Sequence, residues 1–348
     1  MRRVSSVAPL LALLLLFPPT ASLAEGFDMS RDDIRSFVDA MVRRHRFDRD
    51  ELTALLASAQ SQPKIVEAMR RPAERTLAWW EYRQRFLSNE RIDGGVQIWR
   101  ENAEALARIS AQSGVPPEYL IAITGVETFY GRITGRYRVL DALTTLGFDY
   151  PPRGEFFRQE LEQFLMMTRE EKLDPRAPLG SYAGAMGIPQ FMPSSFRRFA
   201  VDGTGDGHRN LWEVNADVYA SVGNYLRENG WRAGQPVLAE AYNDHAPDDP
   251  ANAKLVLNDS VESLKKRGYV FQTTLPDTAR VMLVPAQLAD SLTWRVGFQN
   301  FYAITRYNRS PLYAMAVNDL AQQIAERYRA APAALPAAPP AAASPAAP

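Results

Sequence analysis

The feature that most constrains the fold is a change of period along the chain. From Asp32 to Asn229 apolar residues recur at helical spacing, from Ala233 to about Gln299 they fall into short strand-like stretches, and from Tyr313 to Tyr328 the helical spacing returns. This pattern specifies a mainly α (α+β) protein with a late β-containing stretch. Ile34, Phe37, Val38, Met41 and Val42 place one apolar stripe on a helix over Asp32–Arg46. Further helices are expected over Asp50–Ala59, Pro63–Arg70 and Thr76–Phe86, with one long helix over Gly95–Ser110 before the Gly114, Pro116 and Pro117 break. Phe156–Glu170 and Ala216–Asn229 continue the series, the latter closed by Gly230. Strands are expected over Val237–Tyr242, Tyr269–Thr273, Arg280–Val284 and Thr293–Val296, with Tyr302–Tyr307 as one more candidate. The last helix runs through Met315, Ala316, Leu320, Ile324 and Ala325, and no internal repeat is present.

The two ends lie outside this pattern. Arg2 and Arg3 precede an apolar run from Val7 to Phe17, and Ser22 and Ala24 occupy the −3 and −1 positions before Glu25, which reads as a cleaved secretory signal over residues 1–24. The run is about 11 residues long and holds Pro9, against roughly 20 needed to span a bilayer, so a permanent anchor is the weaker reading. Residues 330–348 are almost wholly Ala and Pro, with Leu335 the lone large apolar side chain, and read as a disordered tail or spacer.

Charge and cysteine content narrow the function classes. The 348 residues carry 40 Lys+Arg against 40 Asp+Glu, and loss of Arg2 and Arg3 with the signal leaves 38 against 40, a formal charge of −2. A chain so balanced makes no case for a polyanion-binding surface, and nucleic acid is not an expected partner. The absence of cysteine excludes a disulfide scaffold, a thiol nucleophile, a thiolate zinc site and a lipidated N-terminal cysteine.

Three segments carry candidate chemistry. In the segment from Gly114 to Arg132, Pro117 suits a first helical turn, and Leu120, Ile123, Thr124 and Glu127 then share one face. A carboxylate at the rim of an apolar stripe loses hydration of its charged form, which favours the protonated acid that a leaving oxygen requires. A structural carboxylate paired with Arg132 or another cation fits the same spacing. In the segment from Gly180 to Phe196, Gly180, Ala183, Gly184, Ala185 and Gly187 allow close backbone approach, and Ser181 and Gln190 are the main polar groups of a small or apolar loop. The loop suits either one wall of a sugar cleft or a tightly packed turn before a helix. In the segment from Asp202 to Glu213, Asp202, Thr204, Asp206, Gly207, the carbonyl of His208 and Glu213 fall at positions 1, 3, 5, 6, 7 and 12 of a calcium loop. An Asp/Gly-rich turn that binds no metal is the alternative.

The segments together carry a resemblance. Val126-Glu127-Thr128 with Gly131-Arg132, Leu140-Asp141-Ala142-Leu143, Ala183-Gly184-Ala185-Met186-Gly187, Gln190-Phe191-Met192-Pro193-Ser194-Ser195 and Ile304-Thr305-Arg306-Tyr307-Asn308 resemble the lytic murein transglycosylase B family, glycoside hydrolase family 103, over about Phe27 to Tyr328. The resemblance implies a lysozyme-like helical core over residues 99–232. It also implies an N-terminal helical domain over 25–98 joined by a C-terminal helix over 313–329, a small inserted β-containing domain over 233–299, and a strand or loop over 300–312 returning to the cleft.

It further implies cleavage of the β-1,4 bond between N-acetylmuramic acid and N-acetylglucosamine in peptidoglycan. Ordinary glycosidases use two carboxylates, whereas the family scheme needs one. Glu127 would protonate the glycosidic oxygen while the substrate's 2-acetamido group stabilises charge at the anomeric carbon. Glu127 would then take the proton from the C6 hydroxyl as a 1,6-anhydromuramic ring closes, so Asp141 is not nominated as a second acid. Ser181, Gln190, Tyr225, Tyr307, Tyr313 and Tyr82 align with substrate-binding positions, aromatic rings being suited to stack on sugar faces. Some members hold calcium in the acidic loop and recruit a later Asp, here Asp217, which leaves the part of Glu213 open; the ion would be structural, and the chemistry requires no cofactor.

The expected partners are peptidoglycan glycan strands, with cell-wall synthesis proteins as further candidates the sequence does not identify. The expected location is the periplasm, in soluble form, because no lipid-anchor cysteine is present. A non-catalytic peptidoglycan-binding scaffold and a hydrolytic muramidase are the alternatives.

Overall fold

The computed structural model describes residues 26–70, 77–244 and 248–330, so the signal segment and the tail beyond Ala330 lie outside the described residues. The chain opens with α1 (Asp32–His45), α2 (Arg49–Ala57), α3 (Pro63–Arg70) and α4 (Trp79–Gln84). Helix α1 starts on Asp32 and Asp33 and ends on Arg43, Arg44 and His45, charges that complement the helix dipole, and it buries Ile34, Phe37, Val38 and Met41. The core follows as α5 (Asn89–Glu101), α6 (Ala103–Ser113), α7 (Pro117–Thr128), β1 (Tyr137–Arg138), α8 (Val139–Asp149), α9 (Gly154–Glu170), β2 (Leu179–Gly180), α10 (Pro193–Phe199) and α11 (Ala216–Glu228). Then come β3 (Leu238–Tyr242), β4 (Asp259–Ser260), α12 (Val261–Lys266), β5 (Val270–Phe271), β6 (Arg280–Gln287), β7 (Leu292–Gly297), α13 (Gln299–Tyr307) and α14 (Pro311–Ala330).

Two expectations are corrected. The long helix over Gly95–Ser110 is two helices, α5 and α6, broken at Asn102, whose backbone leaves the helical region at φ −119° while its amide caps the Ile98 carbonyl. Tyr302–Tyr307 belongs to helix α13 rather than to a strand. Its aromatic and β-branched residues suggest a strand, but Phe301, Ile304 and Thr305 fall at helical spacing and are buried against α11 and α14. Buried Asn300 anchors the start of this helix by accepting from the Arg232 N–H and donating to the Arg232 and Gln235 carbonyls. Helix α8 carried no expectation, because every residue from Val139 to Phe148 is buried and the sequence has no polar face to reveal a period.

One hydrophobic core runs from the N-terminal helices through α7, α8 and α9 to α14. Helix α7 lies inside it, packed against α5, α11 and α14 and buried from Tyr119 to Val126. The late domain is an antiparallel sheet in the order β4-β6-β7-β3-β5, with register Val284↔Arg295 between β6 and β7. Strand β6 explains why this domain is attached rather than free. Val281 and Leu283 enter the sheet's own small core, while Met282, Val284 and Ala286 point into the main core. A strand buried on both faces reads as a continuous apolar run, as β6 does. On β7, Arg295 is 8 % exposed, donates to both carboxylate oxygens of Asp319 on α14 at 2.9 and 3.1 Å, and lies over the Trp79 ring. No helix among the described residues is long and apolar enough to cross a membrane.

Candidate active site

Glu127 is the penultimate residue of α7, and the sequence after it forces a tight turn. Phe129, Tyr130 and Gly131 all adopt left-handed backbone, at φ 52°, 60° and 90°. The Thr128 hydroxyl accepts from the Gly131 N–H and donates to the Ile188 carbonyl, which ties the end of α7 to the loop after β2. Tyr130 folds back over Gly125, where a Cβ would come within 2.8 Å of its ring, and its hydroxyl donates to the Arg91 carbonyl. These contacts fix the backbone that presents Glu127.

The facing wall is the loop 180–191. Gly180 passes so close to the Ala185 carbonyl that a Cβ would sit 2.2 Å from its oxygen. The Ser181 hydroxyl accepts from the Ala183 and Ala185 N–H groups at 3.3 and 3.1 Å, and the Gln190 amide donates to the Thr134 and Gly187 carbonyls at 3.1 and 2.8 Å. Gln190 holds φ 52° to do so, a left-handed backbone that costs a non-glycine residue energy and is found where the surroundings enforce it.

Between these walls lies a cavity of about 510 Å³ with Glu127 in its lining. Ser181, Gln190, Tyr225 and Tyr307 line it, so four of the six expected sugar-site residues meet Glu127 there. Tyr225 and Tyr307 give their hydroxyls to the Arg306 and Pro189 carbonyls, each at 2.6 Å, and their rings lie 4.7 Å apart. Ring surface rather than hydroxyl donors is what they offer the cavity.

Tyr313 and Tyr82 are placed differently. Both are 2 % exposed and neither lines the cavity. Helical spacing on α14 and α4 turns these rings into the core, where an aromatic side chain buries the most surface. The Tyr313 hydroxyl nonetheless reaches Glu127 from behind, donating to Oε1 at 2.7 Å. Burial, then the Glu127 charge, push the Tyr313 and Tyr307 phenols well above their usual value, and burial raises Tyr225 to about 12. All three stay protonated at neutral pH. Arg132 pairs with Glu90 at 2.6 Å and lies over the Phe129 ring.

Asp141, the other carboxylate of the quoted motifs, is 4 % exposed and accepts from Arg138 Nε and Nη2 at 2.9 and 2.8 Å and from the Gln60 N–H at 3.0 Å. Cavity residues not singled out from sequence are Tyr182, Phe191, Met192, Ser195 and Asn308. The last four lie inside quoted motifs, and Tyr182 is an aromatic directly after Ser181, which was the available signal.

The acidic loop keeps its carboxylates on backbone donors. Asp202 accepts from the Gly205, Asp206 and Gly207 N–H groups and from the Thr204 hydroxyl, and these bonds, Gly207 first, hold its carboxyl below the usual range. Asp217 accepts from the Gly203, Thr204 and Asn210 N–H groups, Asp206 from the His208 N–H, and Glu213 from the Asn210 amide. The donor set is the hard-oxygen chemistry calcium takes. Among the described residues, however, no three acidic or histidine side chains converge on one point.

A helical core with a carboxylate flooring a polar and aromatic cleft defines an enzyme of the lysozyme-like, glycan-cleaving class. The family description "Transglycosylase SLT domain" matches residues 29–322. Membrane-bound lytic murein transglycosylase B of Escherichia coli K12 is 40% identical over 321 residues, 89% of this chain and 88% of its own length. Soluble lytic transglycosylase SltB1 of Pseudomonas aeruginosa is 45% identical with a TM-score of 0.80, over 85% of this chain and 99% of that one. The Escherichia coli lytic transglycosylase Slt35, solved in complex with calcium, is 37% identical with a TM-score of 0.80, over 90% of this chain and 100% of that one. The chain belongs to the SLT transglycosylase family and is an enzyme of the lytic transglycosylase type.

Proposed function

We propose that the chain cleaves the β-1,4 bond between N-acetylmuramic acid and N-acetylglucosamine in peptidoglycan, without water as the attacking group, and leaves 1,6-anhydromuramic ends. The observation that carries this is Glu127 itself: a half-buried carboxylate in the cavity lining, at the negative end of the α7 dipole, with a phenol donating to one oxygen. The proposed chemistry uses this group in both protonation states. As the acid it gives its proton to the glycosidic oxygen; as the carboxylate it takes one from the C6 hydroxyl, and each step leaves it ready for the next. The positive charge between the two steps falls to the substrate's acetamido group. The Tyr225 and Tyr307 rings pack the sugars, and Ser181 and Gln190 hold the wall against which they lie.

The acidic loop is proposed to take a structural calcium ion through Asp202, Thr204, Asp206, the His208 carbonyl and either Glu213 or Asp217. When bound, the ion would cross-link a loop that now relies on backbone donors, and it takes no part in the chemistry. The protein is proposed to act on glycan strands in the periplasm, in soluble form after loss of residues 1–24. Incubation with murein sacculi tests the reading: soluble 1,6-anhydromuropeptides are the expected products by mass spectrometry. Products with reducing muramic ends would instead establish a hydrolytic muramidase, and binding without release a scaffold.

A further inference from the structure

Two buried phenols join helices α7 and α14, which run antiparallel. Near the start of α7, the Tyr119 hydroxyl donates to Asn318 Oδ1 and accepts from the Gln322 amide, both at 3.0 Å. Near its end, the Tyr313 hydroxyl of α14 donates to Glu127 Oε1 at 2.7 Å. Tyr119 and Glu127 stand eight residues apart on α7, roughly 12 Å along its axis, and Tyr119 does not line the cavity. The start of α14 fixes Tyr313 at several points. The Ser310 hydroxyl accepts from the Tyr313 N–H at 3.3 Å as a helix cap does, the Ser310 N–H donates to the Asn308 carbonyl at 2.8 Å, and Pro311 opens the helix. The Tyr313 ring lies 6.4 Å from the Tyr307 ring and 15° from parallel to it, and the Tyr307 hydroxyl is itself held by the Pro189 carbonyl. Burial, then the Glu127 charge, keep the Tyr313 phenol protonated and therefore a donor.

We infer that Tyr313 is a positioning residue for the reaction: its hydroxyl holds the Glu127 carboxyl in its working orientation, and the residue takes no part in binding sugar. The inference rests on the proposed acid and base work of Glu127. Tyr313 is absent from the cavity lining, so its ring offers no face to a sugar, and its phenol oxygen is engaged with the carboxylate. A glutamate side chain is long and flexible, and ordering it before substrate arrives removes a cost that each encounter would otherwise carry. An arginine in the same place would bind the carboxylate but oppose the protonated form that the acid step uses. A phenol orients the group without that charge. The competing view is that Tyr313 only packs α14 on α7, as Tyr119 does at the other clamp.

The test compares Tyr313→Phe with Tyr119→Phe, each of which keeps a ring and removes one hydroxyl between the same two helices. Product release from murein sacculi over a range of substrate concentrations gives kcat and KM, co-sedimentation gives binding, and thermal melting gives stability. Both variants are expected to melt below the wild type. In Tyr313→Phe kcat should fall about ten- to a hundredfold, the scale of a hydrogen bond to a charged group, with KM and co-sedimentation held. Tyr119→Phe should keep both kinetic constants. Where Tyr313→Phe does not fold, p-fluorophenylalanine placed at position 313 fills the space of the hydroxyl without a donor, and the same fall in kcat is expected of it. An unchanged kcat, a rise in KM alone, or an equal fall of kcat in Tyr119→Phe overturns the inference. Wild-type release with an unaffected Tyr313→Phe overturns this inference and leaves the lytic reading in place, whereas no release by the wild type overturns both.

Discussion

Glu127 and Asp141 are both carboxylates held by hydrogen bonds on core helices, and their partners separate them. Asp141 is clamped by the Arg138 guanidinium and a backbone N–H. Replacing it by a neutral group would leave the partly buried Arg138 guanidinium without its counter-charge. The partner that reaches Glu127 Oε1 is the neutral Tyr313 phenol, and one side of Glu127 opens to the cavity. Exposure to the cavity is what the proposed acid and base work needs of Glu127, and the cationic clamp gives Asp141 a structural part.

The sharpest break of this comparison is substitution of each in turn. Glu127→Gln is expected to lower product release from sacculi by about a thousandfold, the usual range for a lost acid–base group, with binding to sacculi retained. Asp141→Asn should do the reverse. Release per folded molecule is expected to hold, while stability falls on the order of 3 kcal/mol, seen as a melting temperature lower by roughly 5 °C. Equal activity losses in both variants would erase the distinction.

The phenols give a pH test. Tyr225, Tyr307 and Tyr313 have folded values above the ordinary 10, so the folded state keeps protons that the unfolded chain sheds. Their contribution is complete below pH 10 and is lost as pH rises above it. Phenolate absorbance from these buried tyrosines should therefore appear together with loss of helical circular dichroism, not before it. The smallest effect concerns the acidic loop. Calcium in excess is expected to raise the melting temperature by a few degrees and chelator to reverse it, as for any ligand of the folded state. Superimposed curves would leave Asp202 and Asp217 as turn-forming carboxylates served by backbone N–H groups and, at Asp202, the Thr204 hydroxyl.

Much of the fold was legible because most helices are amphipathic and therefore periodic. Helix α1 and strands β3, β5, β6 and β7 follow their apolar spacing, whereas β4, Asp259–Ser260, has none to follow. Helix α8 was silent because it is buried all round, and α13 misled because Tyr302, Ile304 and Thr305 have strand-like side chains on a helical spacing. At the site, Glu127, Ser181 and Gln190 could be read from segment chemistry. The tyrosines could not be sorted: whether Tyr307 faces the cavity and Tyr313 the core depends on how α13 packs on α11 and α14, and α14 on α7, which no local pattern encodes. The partners of Asp141 are likewise a matter of tertiary contact, since Gln60 approaches from the N-terminal domain.

In the proposed reaction the C6 hydroxyl of the sugar, and not water, accepts the cleaved bond under control of Glu127. Digestion of sacculi in water enriched in oxygen-18 measures this directly. The expected products are 1,6-anhydromuropeptides carrying no label at the new end. Reducing muramic ends that carry one oxygen-18 atom would contradict it.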